Sequence, residues 1–194
     1  SLEGVKVEEE IAKGIPEGEA WRMKLSIDRE KWEGGGSFIT ASSLFPGTMH
    51  DMYQRSIWLS LYPEKKLKIW GGYYGQEENL SKDTTRGAPK REREEYGLTY
   101  KIGGELSISH INWQWEDLFP SSPYSYQEDL NRASYGDTWN NWGGKIFYEW
   151  GDREDYLDGK GQEMANWGLS LSYSGEDWDV KSIYSQGVRE PFRS

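Results

Sequence analysis

The chain contains no cysteine and only two histidines in 194 residues. Disulfides, cysteine-ligated zinc and thiol nucleophiles are therefore excluded, and a histidine-rich metal site is excluded with them. His50 and His110 stand alone, neither in a recognisable triad setting. Valine is scarce, at four residues, so Trp, Tyr, Leu and Ile must supply most of the apolar surface. No apolar run approaches the roughly 20 residues of a membrane-spanning helix, and no secretory signal precedes the first strand pattern. Positive charge is in deficit, 23 Lys and Arg against 33 Asp and Glu. The resulting net charge of −10 would repel phosphates and argues against nucleic acid as a partner.

What the chain has instead is aromatic residues and glycine. It carries 11 Trp, 13 Tyr and 5 Phe beside 23 Gly. A hydrophobic share of 35% with 29% charged residues is thin for a large dry core. It suits a sheet with one wet face, or a closed barrel whose interior is wet. The length fits a single domain over residues 1–194.

Period-two alternation recurs throughout, and helical periodicity is nowhere sustained. Tyr96, Leu98, Tyr100 and Ile102 alternate with Gly97, Thr99 and Lys101; Gly103-Gly104 then makes a hairpin turn, and Leu106 and Ile108 resume the pattern. At His110–Ile111 the apolar parity flips to Trp113 and Trp115, which predicts a β-bulge or a strand covered on both faces. Similar alternation runs through Trp21–Ile27, Ile57–Leu61, Leu67–Tyr73, Ile146–Trp150, Trp167–Tyr173 and Trp178–Tyr184, with a possible first strand over Val5–Ile11. Gly34-Gly35-Gly36 reads as a turn before a strand over 37–45. Residues 77–95, 116–141 and 152–163 read as long polar loops, the first ending in the solvated charge run Lys90–Glu95.

The expectation is an all-β antiparallel meander of nine to ten strands closed as a β-barrel, with a soluble β-sandwich or jelly roll as the alternative. Short turns alternate with long connections over the first two-thirds of the chain, as in a transmembrane barrel. The alternation fails near 151–166. In composition and strand layout, residues Trp21 to Gln186 resemble small bacterial outer-membrane barrels, especially the oligosaccharide-specific porins. That resemblance implies an outer-membrane or cell-surface location, contact with outer-membrane lipid, and a conduit for small anionic solutes or oligosaccharides without a cofactor. A secreted carbohydrate-binding or glycan-cleaving sandwich, and a designed or solubilised barrel without activity, are the other readings.

The candidate lining follows from parity. If Trp21, Met23, Leu25 and Ile27 face lipid, Arg22 and Lys24 face the interior, and Lys68, Lys101, Lys145 and Lys181 follow from their own strands. Such a cation set would attract anions into a low-dielectric tube. Trp113 and Trp115 join it as rings on which a sugar can stack. Aromatics near strand ends (Trp21, Tyr62, Trp115, Trp142, Trp150, Trp167, Trp178) are candidates for interfacial girdles. No catalytic signature is present, and an enzymatic role is disfavoured. Glu149, among Phe147, Tyr148 and Trp150, is the best general-acid candidate, with Asp28 or Glu116 as the second carboxylate that glycoside hydrolysis needs. Asp152, Asp155 and Asp158 are oxygen-rich enough to suggest calcium, although the EF-hand spacing fails around Gly159.

Overall fold

The computed structural model describes residues 5–13, 18–44, 51–83, 87–117, 123–174 and 179–191. They form eleven strands and, among the described residues, no helix. The strands are β1 (Val5–Lys13), β2 (Glu19–Arg29), β3 (Trp32–Ala41), β4 (Met52–Glu64), β5 (Leu67–Glu78) and β6 (Lys90–Ile102). They continue as β7 (Gly104–Asp117), β8 (Tyr124–Trp139), β9 (Trp142–Asp155), β10 (Lys160–Ser174) and β11 (Asp179–Pro191). All belong to one sheet in sequence order, each antiparallel to the next.

Two packed sheets are not formed, so the sandwich alternative is set aside. Closure into a barrel is not seen either: β1 pairs only with β2, and β11 only with β10. In a meander of eleven strands the first and last run in the same direction, so edge-to-edge antiparallel closure is unavailable.

The extra strand over the expected ten is β8, inside the stretch that reads as a loop from 116 to 141. Its sequence, Tyr-Ser-Tyr-Gln-Glu-Asp-Leu-Asn-Arg-Ala-Ser-Tyr, has no apolar alternation to announce a strand. It pairs continuously with β7 on one side and β9 on the other, and its neighbours decide its conformation. Likewise Lys90–Glu95 is the start of β6, a strand charged on both faces. Residues 152–163 form a hairpin around a four-residue turn at 156–159. With β8 in place, short and long connections alternate from β1 through β9, and the last two, 156–159 and 175–178, are equal at four residues. One end of the sheet has two-residue or shorter turns at 30–31, 65–66, 103 and 140–141, and the opposite end has the connections 42–51 and 79–89.

Two turn expectations change as well. Gly34, Gly35 and Gly36 lie within β3, and the chain turns earlier, at Glu30-Lys31. These glycines permit close approach between strands: a Cβ on Gly35 would meet the Leu25 carbonyl oxygen at 2.6 Å and the Trp58 indole at 3.1 Å. No bulge occurs at His110–Ile111, because β7 keeps an unbroken register with β6 through that point. The parity flip marks a change of which face is apolar. The register shift in β4 falls between Leu61 and Glu64, next to the tight turn. The Gly103 turn is as expected, with φ of 86°.

Cross-strand partners share a face, so the register sorts every side chain to one side of the sheet. One row reads Trp32, Leu61, Ile69, Leu98, Ile108, Ala133, Tyr148 and Trp167 across eight consecutive strands, β3 to β10. The next row toward the short turns reads Leu67, Tyr100, Leu106, Tyr135, Ile146, Leu169 and Tyr184. These rows form a continuous apolar band that nothing covers: Leu98 is 50% exposed, Ile108 54% and Ile146 56%. The buried side chains are few and mostly lie on the other face, among them Ile39, Ile111, Ser60, Thr99, Ser109 and Ser134.

At the end with the longer connections, polar contacts tie the loops together. The Asp51 carboxylate accepts from the Ser81 N–H at 3.0 Å and from the Ser81 hydroxyl at 2.7 Å. The Asp117 carboxylate accepts from the Ala88 N–H at 3.1 Å.

Candidate functional site

The charged face is built from the alternate positions of the same strands. Arg22 and Lys24 pair with Ile39 and Ser37, Lys68 with Thr99, Lys101 with Glu105, Lys145 with Ser170, and Lys181 with Ser172. All six therefore share the face opposite the apolar band. They are not gathered at one point. Lys68, Lys101 and Lys145 line a single groove of about 460 Å³ near the short turns. Arg22 and Lys24 sit on β2, far along the sheet, and Lys181 lines a separate concavity with Gly143 and Ser172.

This face also carries carboxylates that strand alternation did not single out. Glu33, Glu95, Glu105 and Glu128 are register partners of inward-side residues and share their face. Three of them pair with cations of this face, of which Lys68 alone belongs to the six above. Lys68 lies 3.6 Å from Glu33, Arg153 lies 3.3 Å from Glu128, and Arg93 is paired with Glu95. The face as a whole is of mixed charge, and positive charge prevails only near the short turns. The Glu33, Glu95, Glu105 and Glu128 positions were hidden in turns, charge runs or loop-like stretches of sequence.

Trp113 and Trp115 also occupy the charged face, toward the opposite end from the lysine groove. Their rings meet edge-on at 5.7 Å, and Trp115 contacts Tyr126 at 5.1 Å. Arg93 lies over Trp113 at 4.9 Å and Arg153 over Tyr126 at 3.7 Å, so guanidinium and ring alternate. Other large rings on this face lie flat in glycine sockets. Trp70 lies against Gly97, Phe147 against Gly168, and Trp58 against Gly35. The rings stay close to the sheet and leave the space above it open.

Several aromatics sit at the margins of the apolar band instead. Trp21, Trp142 and Trp150 lie on the apolar face near its margins and Trp167 within the band opposite Tyr148, whereas Tyr62 and Trp115 lie on the charged face. Trp178 is outside the described residues. On β9 the apolar-face residues run from Trp142 to Trp150, about 26 Å along the strand at about 3.3 Å per residue. Beyond that margin the same face turns acidic in one row, Glu94, Asn112, Asp129, Asp152 and Glu163.

No pair of carboxylates is arranged for glycoside hydrolysis around Glu149. Its Oε1 accepts from Arg132 Nε at 2.8 Å and its Oε2 from Asn166 Nδ2 at 3.0 Å, so both oxygens are engaged. Glu116 belongs to the opposite face, and Asp28 lies seven strands away in the same row. Arg132, rather than a lysine, is the partner of Glu149. Glu149→Gln is expected to lower stability by about 2 kcal/mol, the value of a charge-assisted hydrogen bond. Urea unfolding of the two proteins checks this; an unchanged midpoint would show that the pair contributes nothing.

The acidic hairpin gives no cation site. Asp152 and Asp155 lie on opposite faces of β9; the Asp155 carboxylate accepts the Leu157 N–H at 2.9 Å, and Asp158 pairs with Lys160 at 2.9 Å. The hydrogen bond from Lys160 holds the Asp158 carboxyl below its ordinary value. Among the described residues, no group of three or more His, Cys, Asp or Glu is placed to hold a metal ion.

The fold and site define a class: a single amphipathic antiparallel sheet with one uncovered apolar face and one face of mixed charge and hydroxyls. The chain matches no protein-family model and no curated protein sequence.

Proposed function

We propose that this sheet is the wall of an outer-membrane-type β-barrel that conducts or binds small anionic solutes or oligosaccharides. The observation that carries the reading is the uncovered apolar band, to which all the strands from β2 to β11 contribute. A water-soluble protein rarely exposes a contiguous apolar patch beyond a few hundred Å², whereas a lipid-facing wall requires one. The band is bordered by Trp and Tyr and then by carboxylates, the order met in passing from hydrocarbon to headgroups to water. In lipid the free edges of β1 and β11 must be paired, because unpaired backbone groups there cost several kcal/mol each. Closure therefore takes a parallel β1–β11 seam or an intervening strand antiparallel to both.

The charged face then borders water. Its excess lysines near the short turns favour anions despite the net charge of −10. Planar-bilayer reversal potentials in a salt gradient test this. The parent is expected to prefer anions, and Lys101→Glu is expected to reduce or invert the preference. Lys24→Glu, opposite Ser37 on a distant strand, is expected to act in the same direction and less strongly. Cation selectivity in the parent, or a protein that needs no detergent, would overturn the proposal.

A further inference from the structure

The short-turn groove holds an arrangement that strand pairing alone does not favour. The Lys101 N–H donates to the Lys66 carbonyl at 2.9 Å, which sets the turn residue Lys66 beside Lys101 of β6. Continuing along the sheet, Lys101 is followed by Glu105, Gly136 and Lys145 in register. Like charges set opposite each other are destabilising. Yet, among the described residues, neither Lys66, Lys101 nor Lys145 is in an ion pair, in contrast to Lys68, Arg93, Arg132 and Arg153 on the same face. Six cationic side chains line this groove against two carboxylates, Glu95 and Glu105.

The remaining lining narrows the chemistry. Thr99, Ser109 and Ser134 supply hydroxyls from three strands. The polar atoms of the two aromatic residues are already committed. The Trp70 N–H donates to the Thr99 hydroxyl at 3.2 Å, and the Tyr62 hydroxyl donates to Glu33, with Lys68 5.6 Å from its ring centre. The guanidinium present, Arg132, is held by Glu149. A planar carboxylate is best met by the fork of an arginine, whereas a lysine acts as a point charge suited to phosphate. From Lys66 to Lys145 there are four strand spacings, about 19 Å at about 4.8 Å each, shortened by any curvature. One compact anion cannot reach all three ammonium groups.

We propose that this groove binds an extended phosphate-chain anion, with Lys66 and Lys101 holding one end, Lys145 the other, and the hydroxyls between them. Glycine at 136 keeps the path between Glu105 and Lys145 clear of side chain. The proposal rests on the reading of the charged face as open to water, and on no conductance.

The purified chain in detergent micelles, at fixed ionic strength, is titrated with tripolyphosphate, orthophosphate and a uronate trimer, which carries one carboxylate for each phosphorus of tripolyphosphate. Calorimetry and intrinsic tryptophan fluorescence follow binding. Tripolyphosphate is expected to bind at least tenfold more tightly than either of the others. Lys66→Ala, Lys101→Ala and Lys145→Ala are each expected to weaken it about fivefold to tenfold, and Lys24→Ala to leave it unchanged; far-ultraviolet circular dichroism confirms that each variant is folded. Equal affinity for orthophosphate, tighter binding of the uronate trimer, or equal weakening by Lys24→Ala would overturn the proposal. Tight tripolyphosphate binding without bilayer conductance would uphold the groove while removing the pore. Anion-selective conductance without tripolyphosphate binding would remove the groove alone.

Discussion

Leu169→Arg is expected to destabilise the lipid-embedded protein by about 2–4 kcal/mol, and Ser170→Arg, one residue further along the same strand, by less than about 1 kcal/mol. Leu169 lies mid-strand in β10, between Ile146 of β9 and Tyr184 of β11, in the apolar band. A guanidinium there must enter hydrocarbon or snorkel out of it. Ser170 points to the charged face, where its register partner is Lys145; the new arginine meets a like charge but stays in water. In a protein that faces water on both sides the order would reverse. Leu169 is already 37% exposed, so an arginine there would cost little, and the crowding against Lys145 would be the larger effect. Urea unfolding in lipid vesicles, followed by tryptophan fluorescence, measures both. Equal or reversed costs would remove the lipid-facing assignment of the band.

Gly97→Val is expected to destabilise the sheet by about 3 kcal/mol or more. A Cβ at this position would sit 2.6 Å from the Ile108 carbonyl oxygen and 2.9 Å from the Trp70 ring. The first contact is with backbone of the paired strand and cannot relax without separating β6 from β7. The second can relax by lifting the indole, which costs the Trp70 hydrogen bond to Thr99. The double variant Gly97→Val/Trp70→Ala should therefore recover only part of the loss. In the single variant the displaced indole enters water, and its emission should shift to longer wavelength. A Gly97→Val protein with parental unfolding midpoint and emission would show that the socket is not tight.

The two experiments separate the two faces of one sheet. The first depends on what solvent meets the apolar face, and the second on packing that holds in any solvent. Between them lies the reason that cations without an ion-pair partner gather near the short turns. There the turn residue Lys66 adds a cation beside Lys101, while the acids Glu33, Glu95 and Glu149 are already paired with Lys68 or Tyr62, Arg93 and Arg132.

Strand content was legible wherever one face is apolar and the other polar, as in Trp21–Ile27 or Trp167–Tyr173, because side chains on a strand alternate with period two. The same alternation assigns Arg22, Lys24, Lys68, Lys101, Lys145 and Lys181 to one face, and the register places them there. Strands polar on both faces gave no such signal. β8 and the first half of β6 are held by backbone pairing to two neighbours, a nonlocal cause that leaves no period in their own residues. Glycines 34 to 36 misled for a related reason, since a glycine that admits a neighbouring strand or an indole looks, in sequence, like a glycine that turns the chain.

By itself, then, the sequence determined an all-antiparallel meander with an apolar and a charged side, since both follow from alternation and short polar turns. Tertiary structure decided which cations meet which acids, that Glu149 is occupied by Arg132 and Asn166, and that Lys66, Lys101 and Lys145 share a row. Those outcomes depend on cross-strand register between residues tens of positions apart. It also decided that the first and last of the eleven strands run in the same direction, because strand direction at the two ends depends on a count that one hidden strand changes.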